Sequence, residues 1–323
     1  MTAAPPTPTA KTVALTGGAG FVGRYVLNAL LDRGARVRAL DHTGRLARQM
    51  MNKPPERRAC VELVAASVLD DDALPRLLDG CDAVIHLVGV IRERPGKGVT
   101  FDRLHRQAVE KLVHHAQAAG VRRLIHMSAL GARPDAASEY HRTKGLGEQA
   151  LRGAALDWTI FRPSVIHGPD GEFMRMLMGF CRRWLPPVLP YFGPGLLGRG
   201  EPAKLQPVYV KDVAALFVQA LDREITIGKT YDVGGPDIFT WPQFYKIAAA
   251  QIGCRYPKPA APVPAWFALA VASLNLPGVP FNRSQVIMSQ EDSVCDVEPL
   301  VRDFDVALSP FEKTVTAYGK QMG

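Results

Sequence analysis

The chain has 323 residues, 47% of them hydrophobic, which is enough for one large α/β domain with a smaller lobe and excludes global disorder. Its formal net charge is +8, but the basic residues come as short pairs such as Arg57-Arg58, Arg122-Arg123 and Arg182-Arg183. No basic helix or aromatic-basic stripe points to nucleic acid, and the charge reads as a solvated face. The five cysteines are widely spaced with no CxxC and no Cys/His cluster, so neither a disulfide framework nor a metal site is indicated, and buried thiols in a reducing compartment are expected.

Residues 1–11 are rich in Pro, Ala and Thr, and read as a disordered tail with no signal-peptide core. Thr12-Val13-Ala14-Leu15 is a short apolar strand, followed by Thr16-Gly17-Gly18-Ala19-Gly20-Phe21-Val22-Gly23 and an amphipathic helix. Strand, glycine turn and helix together open a dinucleotide-binding unit. Gly17 permits the tight turn, Gly20 lets backbone amides approach a pyrophosphate, and Gly23 lets the helix pack close to the strand. Phe21 and Val22 supply amides at the helix N-terminus, where the dipole favours phosphate.

A second strand covers Arg36 to Leu40, and a helix Arg45 to Met51. Further strands are expected at Val61 to Ala65, Cys81 to Gly89, Leu124 to Ser128 and Trp158 to Phe161, with helices at Leu74 to Leu78, Phe101 to Ala119 and Glu139 to Arg152. This alternation predicts a doubly wound parallel sheet of the Rossmann type. Later elements are a helix from Met174 to Trp184, a proline-rich loop from Leu185 to Gly200, a strand at Val208 to Val210, a helix from Asp212 to Leu221, a strand at Thr230 to Val233 and a helix from Trp241 to Ile252. The expected division is a dinucleotide-binding domain over 12–171, with 205–236 returning to it, and a smaller C-terminal substrate or partner lobe over 172–204 and 237–323.

Tyr140 and Lys144 lie four residues apart on one predicted helix and share a face. An ammonium there favours the phenolate, and the lysine can hold a ribose hydroxyl. The pair suits acid–base work beside a nicotinamide. His86 and His126 fall in buried strands and read as satisfied core residues. His114 and His115 are adjacent, face different sides of a helix, and form no metal pair. Trp184, Trp241 and Trp266 read as packing residues.

These pieces, with His86-Leu87-Val88-Gly89, Ser128, Arg162-Pro163-Ser164-Val165 and Val208-Tyr209-Val210-Lys211-Asp212, resemble the short-chain dehydrogenase/reductase superfamily in its extended and atypical branches. Met127-Ser128-Ala129-Leu130-Gly131-Ala132, Tyr140 to Glu148, and Leu189-Pro190 ahead of Gln206 to Val210 are similar to the nucleotide-binding accessory subunit of respiratory complex I and its bacterial relatives. The resemblance implies that Leu87, Val88, Gly89 and Ser128 line the nicotinamide side, and that Pro163, Ser164 and Val165 hold its carboxamide. Ser128, Tyr140 and Lys144 are then the catalytic candidates. Two departures stand out. Ala129 falls where active members carry a hydroxyl that polarises a carbonyl, which puts turnover in doubt. Ser67, with Val68 beside it, stands where an aspartate often meets the adenine.

Asp41 ends the second strand, where a carboxylate accepts from ribose hydroxyls and repels a 2′-phosphate, which tilts the expectation to NAD over NADP. His42, Arg45 and Arg48 offer the opposing phosphate clamp. Two functions compete. One is a nucleotide-holding accessory or assembly protein with little turnover and a respiratory-complex partner. The other is a working oxidoreductase or epimerase on a sugar-nucleotide, sterol-like or quinone-like substrate. A redox sensor is a third. The expected location is cytoplasmic, with peripheral attachment to an inner membrane open. Phe180 to Phe192 and Pro262 to Phe281 read either as interfacial segments for anionic lipid or as the wall of a pocket for an apolar small molecule.

Overall fold

Thr12–Thr16 (β1) alternates its side chains between two cores. Val13 and Leu15 enter one apolar cluster and Ala14 the other, as a strand with both faces covered requires. The computed structural model describes residues 11–182, 187–254, 258–274 and 279–322, so residues 1–10 of the expected tail lie outside the described residues, as do Arg183 and Trp184. Phe21–Asp32 (α1) follows β1, then come Arg36–Leu40 (β2), Val61–Val64 (β3), Ala83–His86 (β4), Arg123–Met127 (β5) and Asp157–Pro163 (β6). With Lys229–Val233 they form one seven-stranded parallel sheet, ordered Lys229–Val233, β6, β5, β4, β1, β2, β3. The strand order reverses between β1 and β4, and in such sheets the crevice beyond the strand ends at that point takes the ligand.

One face of the sheet is covered by α1 and the Val210–Ala220 helix, which meet through Val26, Leu30, Val213 and Phe217. The opposite face is covered by Ala73–Leu78, Ala108–Ala118 and Glu139–Arg152 through Leu74, Leu77, Leu112 and Leu151. A third cluster is separate. Met174 and Leu177 from the Glu172–Arg182 helix, Phe244 and Ala248 from Trp241–Ile252, and Phe311 and Val315 from Phe311–Met322 build it.

Several expectations need correction. Cys181 in the Glu172–Arg182 helix and Cys254, just past the Trp241–Ile252 helix, form a disulfide across 73 residues, so these two are not free thiols; sequence spacing gives no sign of a pairing made only by tertiary packing. Cys60, Cys81 and Cys295 are free. The expected proline-rich loop contains a strand, Leu189–Gly193, paired in parallel with Ala260–Pro264. Prolines are tolerated because this is an isolated two-stranded pair. The helix expected from Phe101 opens with a π-helical stretch, Asp102–Gln107, before Ala108–Ala118. Trp241 packs against Phe173, Phe244 and Tyr245, whereas Trp266 is exposed.

Candidate functional site

Gly17 has a φ of +78°, and a Cβ there would lie 2.9 Å from the Leu87 carbonyl carbon, so no larger residue suits this turn. A Cβ at Gly23 would lie 2.1 Å from Gly17 O, which ties the helix directly onto the turn. Gly20 caps α1 from an exposed, extended position, with no side-chain cap and no acidic residue in the first turn. The opening amides of Phe21, Val22 and Gly23 have no side-chain acceptor among the described residues and carry the positive end of the helix dipole. This cradle fits a dinucleotide pyrophosphate. Val22 and Gly23 are buried, so they contribute backbone alone. The 168–171 turn closes over Phe21, with Gly168 and Gly171 backing onto its ring, and Arg24 pairs with Asp170 at 3.2 Å.

Just past β2, Asp41 is buried, and its carboxylate accepts from the Ala47 amide at 2.8 Å and the Thr43 hydroxyl at 3.4 Å. Burial works to raise this carboxyl, but the amides of Ala47, Leu46 and Arg45 and the Thr43 hydroxyl outweigh it and hold it below its usual range. Asp41 thus anchors the Arg45–Met51 helix as well as ending β2, a role its position alone does not reveal. His42, Arg45 and Arg48 are exposed around it, with the Arg48 guanidinium 3.5 Å from Thr43 O. Ser67 Oγ accepts from the Leu69 amide at 3.2 Å, and Val68 is buried.

At the other end, Lys144 is fully enclosed. Its Nζ donates to Met127 O at 2.9 Å and stands 3.1 Å from where a Cβ on Gly89 would be. Burial lowers its pKa to about 8, partly opposed by Glu148. Glu148 is itself buried and accepts a two-pronged contact from Arg162 at 2.8 and 2.6 Å. The helix carrying Tyr140 and Lys144 packs tightly because Gly145 and Gly147 back onto the Arg133 backbone and His105 O. Tyr140 lies edge-on to Phe101, His105 and His141 at 5.8, 5.1 and 5.6 Å. Burial pushes its phenol up to about 12, with no lowering from Lys144, contrary to the expected activation. Ser128 Oγ is buried with no hydrogen-bond partner among the described residues, and Ala129 follows it, also buried. The carboxamide-binding backbone expected at Pro163 to Val165 is largely engaged already: Pro163 O accepts from Leu130, Ser164 N donates to Val233 O, and Val165 O accepts from Val208. Ser164 Oγ is bonded to Ser293. Leu87 is buried and Val88 half-buried, between the glycine turn and this end.

A group of buried histidines adjoins Lys144. His86 and His126, side by side on β4 and β5, stack at 5.3 Å and are fully buried. His86 Nδ1 meets Thr16 Oγ1 at 2.6 Å, but His86 Nε2 and both His126 nitrogens find no partner among the described residues. They are core residues, but not satisfied ones. Burial, with Lys144 adding to it, lowers His86 to about 3 and His105 and His126 well below their usual value. The C-terminal ends of β4 and β5 thus present a neutral imidazole layer beneath one buried ammonium.

A family model described as NAD(P)H-binding matches residues 17–176. A ceramide reductase of Caulobacter vibrioides is 32% identical over 246 residues, covering 75% of this chain and 71% of that protein. The chain belongs to this NAD(P)H-binding family. It is 30% identical over 258 residues to the mitochondrial NADH dehydrogenase [ubiquinone] 1 alpha subcomplex subunit 9 of Arabidopsis thaliana, covering 72% of this chain but only 59% of that subunit. The fold matches a superfamily protein of Agrobacterium tumefaciens with bound NAD, at a TM-score of 0.67 and 20% identity over 96% of both chains. Binding of NAD or NADP thus agrees with both the fold and the family match.

Proposed function

We propose that this protein holds a nicotinamide dinucleotide as an accessory or assembly component and turns over little or no substrate. The observation that carries this reading is Ala129, which stands beyond β5 where a hydroxyl would otherwise polarise a carbonyl. The high Tyr140 pKa and the bonding of Lys144 to Met127 O agree with it. A respiratory-complex partner, suggested by the subunit 9 relative, and peripheral attachment at an inner membrane from the cytoplasmic side belong to the same proposal. So does the division into a dinucleotide-binding part, 12–171 with 205–236, and a smaller lobe, 172–204 with 237–323. In this reading Gly17, Gly20, Phe21, Val22 and Gly23 hold the pyrophosphate, Asp41 the adenosine ribose, and Lys144 the nicotinamide ribose. Bound cofactor would supply a hydride.

The test is purification with reduced cofactor bound, followed by absorbance on adding candidate carbonyl compounds. Bound cofactor that no candidate oxidises agrees with the proposal. Steady oxidation by a carbonyl that is lost in Tyr140→Phe overturns it. That outcome supports a second reading, a working reductase for an apolar substrate, which the intact Tyr140 and Lys144 pair and the ceramide reductase relative favour.

A further inference from the structure

Residues 173–200 and 238–290, about a quarter of the chain, contain eight lysines and arginines and no aspartate or glutamate. The whole chain has 39 basic and 31 acidic residues, so the remainder is balanced at 31 of each sign. The entire formal charge of +8 therefore resides in these two stretches. They also hold most of the third apolar cluster.

The same stretches expose an apolar surface. The pairing of Leu189–Gly193 with Ala260–Pro264 brings the 194–200 turn against the start of the Ala265–Ser273 helix. Trp266 Nε1 donates to Leu196 O at 3.0 Å, and a Cβ on Gly198 would lie 2.9 Å from Pro264 N. Leu196 is 78% exposed, Leu197 65%, Trp266 55% and Phe267 50%, while Ala268 and Ala272 face the body of the protein. The helix is apolar around its whole circumference yet buries only one side. Arg199 is exposed beside Leu197 in sequence, and Arg283 is exposed at the start of the Arg283–Met288 helix, which packs on Ala265–Ser273.

We propose that this surface docks the protein on an anionic lipid bilayer. Arginine matches lipid phosphate, tryptophan suits the headgroup level, and exposed leucine and phenylalanine enter the acyl boundary. No helix among the described residues is long and apolar enough to cross a membrane, so the surface lies on the bilayer. The inference deepens the peripheral placement proposed above and rests on that part alone. The assay involves no turnover, so its failure leaves the nucleotide-holding reading intact.

The test is co-sedimentation of the full chain with vesicles of phosphatidylcholine, with and without phosphatidylglycerol. Binding should need the anionic lipid and fall about tenfold or more in high salt, where the headgroup charge is screened. Leu196→Ser/Leu197→Ser and Arg199→Glu/Arg283→Glu should each lower binding by about tenfold while dinucleotide binding stays unchanged, as insertion and charge both contribute. Brominated lipid should quench tryptophan fluorescence in the native protein and not in Trp266→Phe. Protein that stays in the supernatant with anionic vesicles at low salt overturns the proposal, even if it binds an acidic protein instead. Binding that neither double variant alters also overturns it.

Discussion

His105 Nδ1 lies 3.0 Å from Thr143 Oγ1, which joins the π-helical stretch of Asp102–Gln107 to the residue next to Lys144. The Val90 amide donates to His105 Nε2 at 3.1 Å, so Nδ1 carries the proton and the ring is a neutral donor to Thr143. Thr143 in turn donates to Glu139 O. Helix irregularities of this kind cluster at functional sites, and this one aims a fully buried imidazole at the face of the helix that bears Tyr140 and Lys144. Thr143→Val keeps the shape and leaves the His105 N–H without an acceptor. It should lower stability by about 1–3 kcal/mol in chemical denaturation. A loss near zero would show that the contact does not hold the site together.

Lys144 gives a pH-dependent prediction. Its folded pKa, about 8, lies below its ordinary value of 10.5. Between these values the unfolded chain binds more protons, so this residue makes stability rise with pH from about 8 to 10.5, and below pH 8 its cost is constant at about 3 kcal/mol. Lys144→Met should thus stabilise the cofactor-free protein most at neutral pH, with the gain shrinking at pH 9.5, while weakening dinucleotide binding. Denaturation midpoints of both proteins at the two pH values check this.

The buried histidines predict the acid limb. His86, His105, His126 and His167 are all fully buried with lowered pKa values. Each remains neutral when folded and charges when unfolded, so stability is lost as pH falls below about 6.5, by up to ~1.4 kcal/mol per pH unit for each group. His126→Phe removes two unpartnered nitrogens and should make the decline shallower. An unchanged slope between pH 6 and 4 would count against this assignment.

The glycine turn separates binding from folding. Gly20 is exposed, and a Cβ there meets only Gly17 O at 3.1 Å, whereas at Gly23 it would meet Gly17 O at 2.1 Å. Gly20→Val should therefore fold and lose its dinucleotide, while Gly23→Ala should disturb the fold itself. Calorimetric titration and circular dichroism distinguish the two.

Cofactor choice tests Asp41. The native protein should bind NAD(H) more tightly than NADP(H), because a 2′-phosphate would meet this carboxylate. Asp41→Asn keeps an acceptor for the Ala47 amide and removes the charge, so the gap should narrow with little loss of stability. A native preference for NADP(H) would assign the pocket to Arg45 and Arg48.

Much of the sheet was legible because buried strands and amphipathic helices carry period-specific patterns over several residues. β1, β2, β4 and β5, the glycine turn and the Tyr140–Lys144 spacing are local signals of this type. What stayed hidden depends on packing between distant segments. His105 reaches Lys144's neighbour from 38 residues earlier, Cys181 meets Cys254 across 73, and Trp266 looks like a core residue until its helix is seen to cover only one side. Asp41 directly follows β2, as its place in the sequence predicts, but its hydrogen bond to Ala47 depends on the following turn, including Gly44 at a φ of 64°. The asymmetry of charge lies in the lack of carboxylates over two long stretches, which short arginine pairs do not display.

The final strand of the sheet has a consequence for dissection of the molecule. Lys229–Val233 pairs along β6 from Thr159 to Pro163, yet it follows β6 by more than sixty residues in sequence. Tyr231 on this strand bonds Asp303 at 2.6 Å, and Lys229 meets the same carboxylate at 3.0 Å. A fragment ending at 176, where the family match ends, would strip this strand away and leave the edge of β6 open, with Phe161 deprived of Tyr231 and Phe304. Such an unprotected edge invites pairing between copies. A recombinant nucleotide-binding half cut at that boundary should therefore aggregate, and a minimal soluble unit would have to be assembled from segments that the chain visits on separate passes.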